Sequence, residues 1–115
     1  MAEECIFCRI VAGEVPGDIV YQDEDFLAFR DILPKAPVHV LVIPKAHITS
    51  ATELADGQQE LAGRLILIAK NLAEKEGIAM KGYRLVINCG PEGGQVVPHL
   101  HLHLIGGRQM DPKLG

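Results

Sequence analysis

The stretch His99-Leu100-His101-Leu102-His103-Leu104 decides how this chain folds and what chemistry it can carry. Successive side chains of a β-strand point to opposite faces of the sheet. The alternation therefore predicts a strand with three imidazoles on one face and three leucines packed into the core on the other. Near neutral pH an imidazole can be a nucleophile, a proton carrier, a hydrogen-bond donor to phosphate or a metal ligand. An expression tag would instead be a run of consecutive histidines, so we interpret the pattern as functional.

The composition is that of an ordinary globular protein. The chain has 115 residues, of which 48% are hydrophobic and 23% charged, and this suits a single domain over 1–115. The formal net charge is −4 and no basic stripe is visible, which argues against binding to long nucleic acid. The N-terminal segment has no long apolar run and no stretch could span a membrane. We therefore expect a cytoplasmic protein that has no membrane partner.

Hydrophobic periodicity and breaker residues outline the secondary structure. We predict a short N-terminal helix over 6–12, a long helix from Asp56 to Gly77, and strands over 18–21, 26–32, 38–43, 83–88 and 96–105. Pro98 has no N–H group, so it should lie where the sheet ladder is absent or broken. The predicted class is α+β, with about five mostly antiparallel strands, one long helix and a short N-terminal helix.

A glycine-rich loop precedes the histidine stretch. Gly93 and Gly94 permit unusual backbone angles, and exposed N–H groups in such a loop can form an anion-binding nest. Asn88, at the end of the preceding strand, could supply an amide to the same place. A phosphate beside His101 and His103 would allow covalent catalysis, in which an imidazole attacks phosphorus and water then hydrolyses the intermediate.

The spacing of Cys5 and Cys8 is typical of metal ligands. One CxxC pair is a weak signal, because zinc needs about four sulfur or nitrogen ligands. His47 and His99 are available to complete the set. A closed site with two cysteines and two histidines would be structural, since a catalytic zinc keeps an open position. The alternatives are two small buried cysteines or, with less support, a redox pair.

Four segments of the chain resemble the histidine triad (HIT) superfamily, and within it the Hint branch of purine nucleoside phosphoramidases. The segments are CIFCRIVAGEVP (5–16), FLAFRDILPKAPVHVLVIPKAHI (26–48), KGYRLVINCGPEGGQ (81–95) and HLHLHLIGGRQM (99–110). The resemblance implies a HIT-like α+β fold and a homodimer with a continuous sheet. It also implies an enzyme that hydrolyses purine nucleoside 5′-monophosphoramidates through a covalent nucleotidyl-histidine.

The resemblance further implies a role for each site residue. His101 would be the nucleophile and His103 would hydrogen-bond the phosphate. His99 would orient or relay, and His39 would support the triad from behind. Asp31 would bind the ribose hydroxyls. The remaining nucleotide-binding residues would be Ile32, Asn88, Gly94, Gln95 and Val96, together with His101 and His103. As in bacterial-type members, zinc would be held by Cys5, Cys8, His47 and His99.

Val96 is the main departure from the family pattern, because the Hint branch commonly has serine there. Valine has no proton to give, so the leaving group must be protonated through the backbone, a histidine or water. Two other functions stay open. One is a dinucleoside polyphosphate hydrolase of another HIT branch, against which the GGRQM segment argues. The other is a nucleotide- or zinc-binding interaction protein with weak catalysis.

Overall fold

The computed structural model describes residues 5–114, and these form two helices and one sheet, with two short 3₁₀ turns between β3 and α2. The elements are α1 (Ile6–Val11), β1 (Ile19–Gln22), β2 (Phe26–Arg30), β3 (Val38–Pro44), α2 (Gln59–Lys75), β4 (Tyr83–Val86) and β5 (Leu102–Gly106). The five strands of the sheet lie in the order β1-β2-β3-β5-β4, and each neighbouring pair is antiparallel. The predicted α+β class is confirmed. Within 5–114, no helix combines the length and apolar character needed to cross a membrane.

Helix α2 covers one face of the sheet. Leu65, Ile68 and Leu72 repeat at helical spacing and pack in one core cluster with the leucines of the histidine stretch. The helix ends near Gly77, whose φ of +78° is the left-handed conformation that glycine adopts after a helix. The predicted start at Asp56 was too early by one turn, since Asp56–Gln58 forms a separate 3₁₀ turn before α2.

Helix α1 covers part of the opposite face. Phe7 packs there with Phe29 and with Leu27, Leu41 and Ile43 of strands β2 and β3. All seven residues of β3 are buried, because this strand lies at the centre of the sheet with apolar layers on both sides.

The predicted histidine strand over 96–105 was too long at its N-terminal end. Regular pairing begins at Leu102, which lies opposite Val42 of β3. Pro98 cannot donate to a ladder, and the N–H of Leu100 is used elsewhere, on the carbonyl of Ile48 at 2.6 Å. The alternation of faces nevertheless extends back to His99, because Leu100 is only 1% exposed and belongs to the α2-side core.

Candidate active site

All five histidines of the chain lie in two adjoining clusters. One cluster contains His39, His101 and His103, and the other contains His47 and His99. Strands β3 and β5 build the first cluster, since the β3 residue two positions after His39 lies directly opposite His103. His39 and His103 are therefore diagonal neighbours on the same face of the sheet. The structure thus brings together the four histidines to which the resemblance assigns catalytic roles.

The hydrogen bonds of His39 determine the protonation of its neighbour. The backbone N–H of Lys35 donates to His39 Nδ1 at 3.0 Å, so neutral His39 carries its proton on Nε2. This Nε2–H lies 2.9 Å from His103 Nδ1, which accepts it. His103 then carries its own proton on Nε2. The chain of donors ends in an N–H group that is available to an anion beside the triad.

His101 has the opposite tautomer. Its Nδ1 lies 2.7 Å from the carbonyl oxygen of His99, which can only accept, so Nδ1 holds the proton and Nε2 keeps its lone pair. The ring centroids of His101 and His103 are 4.9 Å apart. An imidazole lone pair beside an imidazole N–H is an arrangement suited to attack on phosphorus while the neighbour holds a phosphoryl oxygen.

Burial keeps the supporting imidazoles neutral. Desolvation, followed by repulsion from His101 and His39, lowers the pKa of His103 to about 4 in spite of the opposing effect of Asp31. Desolvation also lowers the pKa of His39. Both rings are therefore uncharged near neutral pH, as the single-tautomer hydrogen bonds require.

Asp31 lies at the end of the same hydrogen-bonded row. Its Oδ1 accepts the N–H of Leu33 at 2.9 Å, and its Oδ2 lies 3.4 Å from His39 Nε2. Asp31, His39 and His103 offer ligand atoms within 4.8 Å of one another, which is a spacing that metal sites also show. The tautomer of His39 disfavours a metal here. Ligation at Nε2 would move its proton to Nδ1, where it would face the N–H of Lys35.

The glycine-rich loop is held in shape by hydrogen bonds between its own residues. The side-chain amide of Asn88 donates to the carbonyl of Gly93 at 2.8 Å. A Cβ at Gly93 would lie 2.2 Å from the carbonyl oxygen of Cys89, so only glycine fits there. Gly94 does not supply an exposed N–H to the predicted anion nest, because it donates to the carbonyl of Pro91 at 3.1 Å, and the N–H of the following Gln95 donates to the carbonyl of Gly90 at 3.0 Å. The backbone N–H groups of Gly94 and Gln95 are therefore used inside the loop and are not free for an anion.

The structure gives Gln95 a structural role among the other predicted nucleotide-binding residues, whereas it leaves Ile32 and Val96 exposed. The Gln95 side chain accepts the N–H of Gly90 and donates to the carbonyls of Thr49 and Val97, so both ends are engaged. Ile32 and Val96 are 90% and 89% exposed. These two apolar side chains are open to a ligand or a second chain.

The second histidine cluster has the donor set of a zinc site. Cys5 Sγ lies 3.3 Å from His99 Nδ1, Cys8 Sγ lies 3.3 Å from His47 Nδ1, and the two Nδ1 atoms are 3.2 Å apart. Tetrahedral zinc bonds of about 2.3 Å to sulfur and about 2.05 Å to nitrogen place sulfur and nitrogen about 3.5 Å apart, and two nitrogens about 3.3 Å apart. The four residues present therefore fit zinc in both chemistry and spacing.

Neighbouring groups prepare these donors for a cation. His99 Nε2 lies 2.8 Å from the carbonyl oxygen of Pro44 and donates to it, which leaves the Nδ1 lone pair facing the cysteines. Cys5 caps the N-terminus of α1, since its Sγ accepts the N–H of Cys8 at 3.3 Å. Burial and the adjacent Cys5 raise the pKa of Cys8 to about 11, whereas a divalent cation would favour the thiolate. The His99 ring belongs to this cluster, and its carbonyl group belongs to the triad.

Three contributors to the site were missed in the sequence. Two are main-chain groups, the N–H of Lys35 and the carbonyl of Pro44, and no side-chain pattern reveals them. The third is Phe7, whose ring meets the His101 ring edge-on with centroids 5.2 Å apart. Its position in the sequence between Cys5 and Cys8 was the one feature that could have indicated its place beside the site.

A sheet that carries three alternating histidines beside a supporting histidine and a carboxylate defines a histidine-triad protein. A family model described as HIT domain matches residues 12–110. The chain is 49% identical over 114 residues to the purine nucleoside phosphoramidase of Escherichia coli (strain K12), which covers 99% of this chain and 96% of that protein. The chain belongs to the HIT domain family, and the resemblance noted in the sequence is confirmed.

Solved structures are similar along nearly the whole chain. A HIT family hydrolase from Legionella pneumophila Philadelphia 1 has a TM-score of 0.95 and 49% identity, covering 97% of this chain and 100% of that one. A zinc-bound histidine triad family protein from Mycobacterium smegmatis has a TM-score of 0.79 and 34% identity, covering 97% of this chain and 81% of that one. The fold is therefore shared with both hydrolase-named and zinc-bound members.

Proposed function

We propose that this protein is an enzyme that hydrolyses purine nucleoside 5′-monophosphoramidates through a covalent nucleotidyl-His101 intermediate. The observation that best supports this proposal is that His101 and His103 have opposite tautomers. A free lone pair on His101 Nε2 lies beside an N–H on His103 Nε2. The substrate class is supported by the name of the Escherichia coli relative, to which the chain is 49% identical.

In the first step, the lone pair of His101 Nε2 forms a bond to phosphorus and the phosphorus–nitrogen bond breaks. The leaving nitrogen keeps the bonding electrons and takes a proton, so that an amine departs. The side chain of Val96 has no proton to offer, so this proton comes from water, while the Nε2–H of His103 stays on a phosphoryl oxygen. The His99 carbonyl, which accepts the Nδ1–H of His101, stabilises the positive charge that the substituted ring acquires.

In the second step, water attacks the phosphorus and the bond to His101 Nε2 breaks. The products are a nucleoside 5′-monophosphate and the free imidazole, and the proton released by the attacking water replaces the one that the leaving amine took from solvent in the first step. The Nε2–H of His103 holds a phosphoryl oxygen, while His39 keeps that proton on Nε2. Splitting the substitution in this way replaces one difficult step by two easier ones.

The nucleotide is held around this centre. Asp31 accepts hydrogen bonds from the ribose hydroxyls with the oxygen that faces His39. Ile32 and Val96 supply exposed apolar surface. The loop that contains Asn88, Gly94 and Gln95 borders the phosphate and leaving-group side, in the shape that its internal hydrogen bonds impose.

We also propose that Cys5, Cys8, His47 and His99 hold one zinc ion, as their spacing and the tautomer of His99 allow. A zinc bound by all four would have no open position, so its contribution would be structural. These residues join the N-terminus of α1 to the segment that precedes β5.

The chain is proposed to work as one domain over 1–115 that pairs with a second copy of itself. Strand β4 is an edge of the sheet, and α2 carries Ile66 and Leu67 with 51% and 57% of their surface exposed. An open strand edge and exposed apolar side chains on a helix both suit a second copy that continues the sheet. Light scattering during size-exclusion chromatography would give twice the mass of the chain; a single chain mass would refute this.

A substrate comparison tests the proposed function. Adenosine 5′-monophosphoramidate and a diadenosine polyphosphate are offered separately to the zinc-loaded protein, and release of adenosine 5′-monophosphate is followed. We expect faster turnover of the phosphoramidate. Preference for the diadenosine polyphosphate would favour the other HIT activity. Nucleotide binding without turnover of either compound would favour a binding protein and contradict the proposal.

A further inference from the structure

Phe7 connects the two histidine clusters. It lies between Cys5 and Cys8 on the first turn of α1 and is 6% exposed. Its ring meets the ring of His101 with centroids 5.2 Å apart and planes at 89°, and meets the ring of His99 at 5.9 Å and 66°. One side chain thus contacts both the proposed nucleophile and a proposed metal ligand.

His99 makes a second connection between the clusters. Its carbonyl oxygen accepts the Nδ1–H of His101 at 2.7 Å, while its ring Nδ1 lies 3.3 Å from Cys5 Sγ. The main-chain group that selects the tautomer of His101 therefore belongs to a residue whose ring is held by the cysteine–histidine cluster.

We propose that the Cys5–Cys8–His47–His99 cluster, with its cation bound, positions the His101 ring for attack, and that Phe7 is the positioning residue that transmits this constraint. The inference rests on the proposed function, because it takes His101 as the nucleophile. With the cation bound, α1 and the segment 97–101 are tied together. Phe7 then lies against the ring of His101, and the His99 carbonyl fixes its Nδ1.

The described contacts of His101 show why it needs this constraint. Its one side-chain hydrogen bond among residues 5–114 is to the carbonyl of His99, and its ring neighbours are Phe7 and His103. Without a cation, the two cysteines are joined to His99 by weak sulfur–nitrogen contacts at 3.3 to 3.6 Å, and the edge contact of Phe7 is the other described contact between α1 and the His99 ring. Movement of α1 would then remove the edge contact of Phe7 and let the imidazole rotate. Nucleophilic attack is sensitive to such misplacement.

Two phenylalanine variants test the role of Phe7. Phe7→Leu removes the ring edge and keeps an apolar side chain. Phe26→Leu is the matched control, because Phe26 is 1% exposed but lies in the α2-side core, away from His101. In zinc-loaded proteins given adenosine 5′-monophosphoramidate, we expect Phe7→Leu to slow adduct formation in a single turnover about tenfold while KM changes less than about threefold. Phe26→Leu should keep the rate within about twofold, even with a lower Tm.

A spectroscopic measurement tests the geometry without turnover. In ¹⁵N NMR, the ring of His101 in zinc-loaded wild type should show one neutral tautomer with its proton on Nδ1. Zinc-stripped wild type and Phe7→Leu should both show averaging of the two tautomers. Phe7→Met serves in the same experiment if the leucine variant does not fold.

The outcomes separate the two proposals. If zinc-loaded wild type forms no adduct, the proposed function fails. If the adduct forms equally fast in wild type and the Phe7 variants, and the single tautomer persists without zinc, the function stands and the positioning inference is overturned.

Discussion

His39 Nε2 lies 2.9 Å from His103 Nδ1, and this contact joins two strands of the sheet through their side chains. Because the N–H of Lys35 occupies the other nitrogen of His39, the hydrogen bond has one direction. The backbone of a loop thereby determines which nitrogen of His103 carries the proton.

Replacing His39 should disturb His103 and leave the nucleophile intact. His39→Leu leaves His103 Nδ1 without its donor, and the unpaired group costs about 1–3 kcal/mol. We expect adduct formation to slow roughly tenfold or more, since about 1.4 kcal/mol corresponds to a factor of ten. His39→Gln retains an amide donor and should lose less. Single-turnover assays with rapid quenching measure the rate of adduct formation in both variants. Equal rates for His39→Leu and wild type would refute the role assigned to His39.

Stability should depend on pH through His103. An unfolded histidine has a pKa of about 6.5, whereas burial lowers the pKa of folded His103 to about 4. Between these values the unfolded chain binds more protons, so the free energy of unfolding is highest above about pH 6.5 and falls as the pH falls toward 4. The difference between the folded and unfolded pKa values of His103 corresponds to roughly 3 kcal/mol in the free energy of unfolding. The lowered pKa of His39 acts in the same direction.

Urea unfolding at about pH 7.5 and about pH 5 checks this dependence. His103→Asn is the matched control, because it removes the group that titrates and keeps the zinc ligands. We expect a flatter dependence in the variant. An identical dependence in both proteins would show that other groups cause it.

Much of the architecture follows from the sequence, because its signals are local. Three of these signals each involve only neighbouring residues. They are the alternation of histidine and leucine, the helical repeat that includes Leu65 and Leu72, and the glycine after α2. The family motifs then predicted how these elements are arranged. The histidine strand was predicted too long because alternation of faces does not require pairing, and a segment before Leu102 can alternate without a ladder partner.

The parts of the site that were missed depend on main-chain contacts between distant segments. No pattern of side chains shows that the carbonyl of Pro44 accepts from His99, or that Gly94 uses its N–H inside the loop. The edge contact between Phe7 and His101 likewise requires α1 to be docked on the sheet. Such details determine tautomers and free donors, so chemistry was less predictable than fold.

Asp31→Asn should weaken binding through the ribose. Loss of the carboxylate removes a charged acceptor for the hydroxyls, which is worth about 1.5–3 kcal/mol, so KM should rise roughly ten- to a hundredfold. The asparagine oxygen can still accept the N–H of Leu33, so the local turn is retained. A substrate that lacks the 2′- and 3′-hydroxyls is the control and should show little difference between the two proteins. An equal effect on both substrates would contradict the ribose contact.

Zinc should bind through Cys8 and not through Cys89. Elemental analysis of the wild type should give about one zinc per chain, and Cys8→Ser should give much less. Cys89→Ser is the matched control, because the Cys89 thiol contacts the Thr52 hydroxyl at 3.0 Å outside the cluster. Binding at a thousand times Kd contributes about 4 kcal/mol, so Cys8→Ser should lower Tm by about 15 °C. Full zinc content in Cys8→Ser would contradict the proposed ligand set.

His101 is proposed to carry the nucleotide during catalysis. Intact-mass spectrometry of the zinc-loaded protein, quenched within one turnover of adenosine 5′-monophosphoramidate, tests it most directly. We expect a mass increase equal to one adenylyl group on wild type, located on His101 by peptide mapping, and no increase on His101→Ala. Turnover without an adduct on wild type, or an adduct that persists in His101→Ala, would contradict it.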